Sequence, residues 1–269
     1  MNRTIHFLSG LPRTGSTVLG ALLSQNPAIH VTPTSPLANI LVSVAQGIGT
    51  TIQYAYDHQR TYERIYDAVA EIVYSDIDRP IIFDKNRFWP GSVDELRRLA
   101  PEPKIVCTVR PIPEIVASYI AIAEKHRGKN FLDEQILRDG QPITNDNRAA
   151  VVCRLYLQEH LQVINEGLQS HPQNILLVEY DDLIYTPHEV LNRIYAFCEM
   201  EHYRHEITAI ANNSGENDGA WGMPGLHDVR GSLAKTSTPP EEILSPQALM
   251  FVDQFKLGAE ETCHDNLSF

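Results

Sequence analysis

Four short runs of apolar and β-branched residues, at positions 4–9, 80–84, 104–109 and 174–180, constrain the fold of this chain more than any other feature of it. Each run is apolar at successive positions, so both faces need cover, as in strands buried inside a parallel sheet. Helical spacing separates them. Residues 17–23 carry an apolar face, and the stretch 145–170 sets Leu157, Leu161, Ile164 and Leu168 on one stripe. Alternating strand and helix predicts an α/β fold, a parallel sheet flanked by helices. No Pro/Gly/Ser-rich linker, repeat or low-complexity run interrupts the strands, and 269 residues at 43% hydrophobic content can bury one large core. A single domain over 1–269 is expected.

Other segments bear on function by position. Helical or irregular inserts at about 35–75 and 126–146 could wall a pocket, and the Gly-, Pro-, Ser- and Thr-rich stretch 214–245 is too long for an ordinary connection. It reads as a functional loop or lid. Thr186-Pro187-His188-Glu189 has the pattern of a capping box opening a helix whose Leu191, Ile194, Tyr195 and Cys198 share a face.

A net charge of −12 and a pI near 5.3 argue against nucleic acid or another polyanion as partner. The apolar run at 4–8 follows Met1 too closely for a signal peptide, and no apolar stretch reaches the roughly 20 residues of a membrane span. Cys107, Cys153, Cys198 and Cys263 are scattered without CxxC spacing, which suits reduced thiols and a cytoplasmic address. The 11 histidines form no ligand-spaced set, so no metal is expected.

Directly after the first strand run comes Gly10-Leu11-Pro12-Arg13-Thr14-Gly15-Ser16-Thr17, and a helix follows at once. Glycines in such a loop let backbone amides approach an anion, and the helix N-terminus favours phosphate there. Gly10, Gly15 and Thr17 obey the G-x-x-x-x-G-K-[ST] pattern, but Ser16 stands where the lysine belongs. That lysine reaches the β and γ phosphates, so its loss argues against triphosphate hydrolysis and for a metal-independent transfer. The cation sits instead at Arg13, inside the loop. These residues by themselves imply only a phosphate-bearing ligand.

The run from Phe7 to Thr17 resembles the 5′-phosphosulfate loop of the sulfotransferase family that uses 3′-phosphoadenosine 5′-phosphosulfate (PAPS). Val109-Arg110-Pro111 with Ser118 is similar to the family's 3′-phosphate motif, and Val178-Glu179-Tyr180-Asp181-Asp182-Leu183 before Pro187 to its third segment. The three lie in family order from Ile5 to about Glu199, most like the bacterial-type branch. The resemblance implies a P-loop-like three-layer sandwich and PAPS as co-substrate, leaving 3′,5′-adenosine bisphosphate as product. It also implies donor binding by Gly10, Arg13, Thr14, Gly15, Ser16, Thr17, Arg110, Ser118 and Tyr180. Arg230-Gly231-Ser232 with Lys235 resembles, more loosely, a basic loop closing over the 3′-phosphate.

Negative charge grows on the bridging oxygen of the leaving nucleotide during transfer, so a fixed cation near it lowers the barrier. Arg13 and Lys85 are the candidates, Lys85 matching a lysine that branches of the family place beside the scissile bond. The acceptor must lose a proton to a His or carboxylate. Many relatives carry that base soon after the first helix, where this chain reads Ile29-His30-Val31-Thr32-Pro33-Thr34, so His30 and Asp84 are the ranked candidates. A small-molecule or peptide acceptor is expected, its class open between sterol, phenol, lipid, sugar, peptide tyrosine and natural-product intermediate; oligomeric state is equally open. The rival readings are a P-loop-type kinase and a non-catalytic nucleotide-binding module.

Overall fold

The structure, a computed structural model, describes residues 3–49, 58–212, 215–235 and 238–258. The chain begins with β1 (Thr4–Gly10), α1 (Ser16–Leu23), β2 (Ile29–Thr34), α2 (Leu37–Gly49), α3 (His58–Val73) and β3 (Ile81–Lys85). It continues through α4 (Val93–Leu96), β4 (Ile105–Val109), α5 (Ile112–Lys125), α6 (Phe131–Arg138), α7 (Asn145–Val152) and α8 (Gln158–Ser170). Last come β5 (Ile175–Glu179), α9 (Tyr180–Tyr185), α10 (Pro187–Phe197) and α11 (Pro246–Val252).

All neighbouring strands pair in parallel, in the order β2-β3-β1-β4-β5. This is the predicted α/β architecture with one strand more. β2 escaped notice because it is polar in its second half and carries Pro33, tolerable only because β2 lies at the sheet edge. Strand alternation sorts the core into two layers. Phe7, Ile82, Ile105 and Cys107 face one way, onto Trp89, Ile115, Val116 and Ile164, with the Phe7 and Trp89 rings edge to face at 5.4 Å. Leu8, Phe83, Val106 and Val178 face the other, onto Leu19, Leu22, Leu191 and Ile194. Each fully buried Leu or Phe contributes about 1.5–3 kcal/mol of transfer free energy.

Two local expectations are corrected. The helix predicted over 145–170 is divided by one π-helical turn, Cys153–Leu157, although Leu157, Leu161 and Ile164 are buried as the stripe requires. At Thr186 the capping box does not close: the hydroxyl donates back to the Asp182 carbonyl at 3.1 Å and makes no cap to α10. Thr186 also ends α9, its amide donating to the same carbonyl at 2.8 Å, and that competing role takes the side chain. Leu191, Ile194, Tyr195 and Cys198 are nevertheless buried together.

The stretch 214–245 is irregular, with single 3₁₀ turns at Asp218–Trp221 and Pro240–Glu242, but Met223, Leu226 and Leu244 anchor it in the core. Ser214 and residues 236–237 of this stretch, residues 50–57 of the first insert and Cys263 lie outside the described residues. Cys107, Cys153 and Cys198 are buried free thiols, and burial pushes each up to about 12. Among the described residues no helix is long and apolar enough to cross a membrane.

Candidate functional site

The C-terminal ends of the central strands open into a cavity of about 440 Å³, the usual ligand position in an open parallel sheet. Its floor is the loop between β1 and α1. Gly10 has φ +142°, and a Cβ there would stand 2.4 Å from the Thr108 carbonyl oxygen, so the loop lies against β4 as only glycine permits. Thr14 is fully buried; its hydroxyl donates to the Leu11 carbonyl at 2.5 Å and lies 2.6 Å from the Thr108 hydroxyl. Thus Gly10 and the Thr14 side chain shape the loop from behind. Arg13, Gly15, Ser16 and Thr17 line the cavity itself.

Arg13 adopts φ +61°, a left-handed conformation uncommon outside glycine and a sign of a constrained loop. Its Nε donates to the Ser118 hydroxyl of α5 at 3.2 Å, and Nη1 donates to the Leu226 carbonyl. Arg110, one residue beyond β4, is 6% exposed and therefore no solvated surface charge. Its guanidinium lies 4.1 Å from the Tyr180 ring centroid, donates to Glu114 Oε2 at 3.0 and 2.8 Å, and donates to the Arg13 carbonyl at 3.2 Å. Three sequence-distant segments are thereby tied at one corner of the cavity, which Ser118, Tyr180, Arg230 and Ser232 also line. Lys235 sits at the edge of this corner, its Nζ 2.9 Å from Asp181 and 3.3 Å from Glu114, and the Asp181 hydrogen bond holds its pKa up.

On the other side of the loop, Lys85 shares a small recess with Ser16, Thr17 and Thr32. Parallel register puts it there, because Lys85 pairs with Leu8, two residues before Gly10. The ammonium donates to Glu216 at 2.6 Å, and burial draws its pKa down against the pull of that carboxylate. Glu216 in turn accepts from the Thr34 amide and hydroxyl at 3.0 and 2.9 Å.

The two residues ranked as bases are not brought to the loop. Asp84 is fully buried, accepting from the Tyr74 hydroxyl and the Trp89 indole at 2.9 Å each, and burial raises its pKa to about 6 although Ser35, Tyr74 and Trp89 oppose the rise. His30 is consecutive with Val31, which packs against Gly20 of α1, so strand alternation turns His30 to the opposite face. Neither residue lines the cavity or the recess.

Sequence reasoning missed Glu216, Asp218 and His227, all in the loop where only Arg230, Ser232 and Lys235 had been singled out. His227 lines the cavity; its Nδ1 is 2.5 Å from Asp218 Oδ1, and its amide donates to Asp218 Oδ2 at 2.9 Å. Arg87 and Tyr119 also line the cavity. Among the described residues no group of three or more His, Cys, Asp or Glu is placed to hold a metal ion.

Known proteins share this fold. The chain covers 98% of itself and 94% of its counterpart when laid on the sulfotransferase domain from the curacin biosynthetic pathway, at 15% identity and a TM-score of 0.50. For mouse sulfotransferase SULT7A1 complexed with PAP the values are 95%, 83%, 13% identity and 0.52. Identity this low shows shared fold alone. No curated protein matches the chain in sequence. The sequence model of the sulfotransferase family matches residues 6–204, from β1 past α10 and well over half of the chain, and by that match the chain belongs to the sulfotransferase family.

Proposed function

We propose that the chain is one PAPS-dependent sulfotransferase domain that moves a sulfuryl group to an acceptor hydroxyl or amine without a metal. The observation that carries the reading is the Arg110 guanidinium, stacked on Tyr180 and hydrogen-bonded to the backbone of the phosphate-type loop. An anion at the loop and a second phosphate beside Arg110 and Ser118 would then occupy one cavity, which suits a nucleotide carrying phosphates at both ends of its ribose.

In this reading the loop amides and the N-terminus of α1 hold the 5′-phosphosulfate. Arg110, Ser118 and the cavity-facing Arg230 and Ser232 hold the 3′-phosphate, with Lys235 beside them and Tyr180 against the adenine side. Lys85 and Arg13 meet the charge that develops on the bridging oxygen as the sulfur–oxygen bond breaks. PAP in the mouse relative is the product this reaction would leave.

The test is release of 3′,5′-adenosine bisphosphate from PAPS by the purified protein, with a chelator present and a panel of phenols, alcohols and amines. Transfer in chelator supports the reading. Phosphoryl transfer from ATP that requires magnesium would replace it with the kinase reading, and donor binding without turnover would favour the non-catalytic module.

A further inference from the structure

We propose that His227, oriented by Asp218, takes the acceptor's proton as the acceptor oxygen or nitrogen attacks sulfur. This rests on the sulfuryl-transfer reading and adds the residue that completes it. The two candidates from sequence lie elsewhere, Asp84 enclosed by Tyr74 and Trp89 and His30 on the far face of β2. His227 lines the cavity. Asp218 holds its ring in one orientation through two contacts, the carboxylate oxygens taking the Nδ1 side of the imidazole and the His227 backbone amide. Nδ1 is thereby assigned the proton, and Nε2, which has no hydrogen-bond partner among the described residues, is left as an acceptor.

The surroundings keep that form populated. Burial draws the His227 pKa below the ordinary imidazole value, outweighing the opposing pull of Asp218 and Glu216, while Lys85 adds to the lowering. Asp218 itself is held below the usual carboxylate range: burial raises it, but the His227 and Gly225 contacts prevail. The ring is therefore neutral near pH 7, with Glu216, Asp218 and Lys85 as the charged groups facing it and Arg13 next in reach of Asp218. Lys85 and Glu216 act electrostatically on the ring and link it to the recess beside Ser16 and Thr17, so the base and the leaving-group cation flank the same loop from its two sides. In the step, the acceptor oxygen forms a bond to sulfur and its proton passes to Nε2. The bond from sulfur to the 5′-phosphate oxygen breaks, its electron pair leaving with 3′,5′-adenosine bisphosphate. For an amine acceptor nitrogen takes the oxygen's place.

The experiment follows bisphosphate release from PAPS, with water and with a series of phenols from 4-nitrophenol to phenol, in the full chain and in His227→Ala and Asp218→Asn. Bisphosphate affinity is measured on each by calorimetry. The expected result is a loss in His227→Ala of about 100-fold or more, with affinity within about twofold of wild type, since a general base supplies roughly 10²–10⁴. The loss is smallest with 4-nitrophenol, which ionises most readily, and added imidazole restores part of the rate. In Asp218→Asn the acidic limb of the rate profile moves to lower pH, because removing the carboxylate lowers the imidazole pKa further. A wild-type rate in His227→Ala, a loss explained by bisphosphate affinity, or a wild-type protein that binds bisphosphate but releases none would overturn the proposal. Failure of the wild type to bind bisphosphate at all would instead remove the donor reading, and this inference with it.

Discussion

The Lys85 ammonium donates to Glu216 at 2.6 Å across 131 residues of sequence, with both side chains nearly enclosed. A strand end of the sheet and the C-terminal loop thus meet beside the phosphate-type loop. Removing one member of such a pair strands the other charge. If Lys85 stabilises the leaving oxygen, Lys85→Met lowers turnover about 100-fold or more while bisphosphate binding stays close to wild type, as loss of one electrostatic donor does elsewhere. Steady-state rates alongside calorimetry check this split. In Glu216→Gln the Lys85 pKa falls further, since that carboxylate is what opposes burial, and activity is lost at lower pH than in the wild type. An unmoved alkaline limb would show that Lys85 does not act as a cation in the step.

Asp84 gives a prediction for stability and none for catalysis. Burial lifts its carboxyl to about 6, above its unfolded value, so between those two pKa values the folded state binds more protons than the unfolded one. Stability from this group is greatest at low pH and declines as pH rises through about 6, by something on the order of 2–3 kcal/mol. Asp84→Asn lacks that slope, so its stability relative to wild type improves from pH 4.5 to 7.5. Urea unfolding at each pH reads the difference directly. Parallel curves for the two proteins would contradict it.

Gly10 and Leu8 separate loop geometry from core packing. In Gly10→Ala the new Cβ meets the Thr108 backbone at a φ that alanine rarely adopts, which costs about 1–3 kcal/mol for the strained backbone alone and displaces the loop. Bisphosphate affinity falls with it. Leu8→Ala removes a fully buried side chain two residues away and costs about 2–5 kcal/mol, yet leaves affinity unchanged in the protein that remains folded. Denaturation and calorimetry on the two variants distinguish these effects. Equal affinity loss in both would mean that the loop is not shaped as described.

What could be read from the sequence was what is local in it. The loop from Gly10 to Thr17 is made of consecutive residues, so its pattern shows in one short window, and the four buried strands announce themselves by continuous apolar runs. β2 did not, because an edge strand with Pro33 and one solvated side lacks that signal. Asp84 and His30 looked available as bases because a linear reading does not see that Tyr74 and Trp89 close over the first or that strand parity turns the second away. Conversely, Glu216 lies 131 residues from Lys85, and Asp218 and His227 sit nine apart in an irregular loop with no periodicity. Only the fold brings Glu216 to Lys85 and sets Asp218 against His227 at the cavity.

The most direct measurement is calorimetric titration of the wild type and Arg110→Ala with 3′,5′-adenosine bisphosphate and, separately, with ATP and magnesium. Arg110 stacks on Tyr180 and braces the Arg13 backbone, so truncating it removes a buried cation of the kind whose loss costs about 2–5 kcal/mol in binding. The account predicts tight bisphosphate binding by the wild type, weakened about 30-fold or more in the variant on that basis, and no significant response to ATP. Binding of ATP as tight as that of the bisphosphate, or bisphosphate affinity indifferent to Arg110, would contradict it.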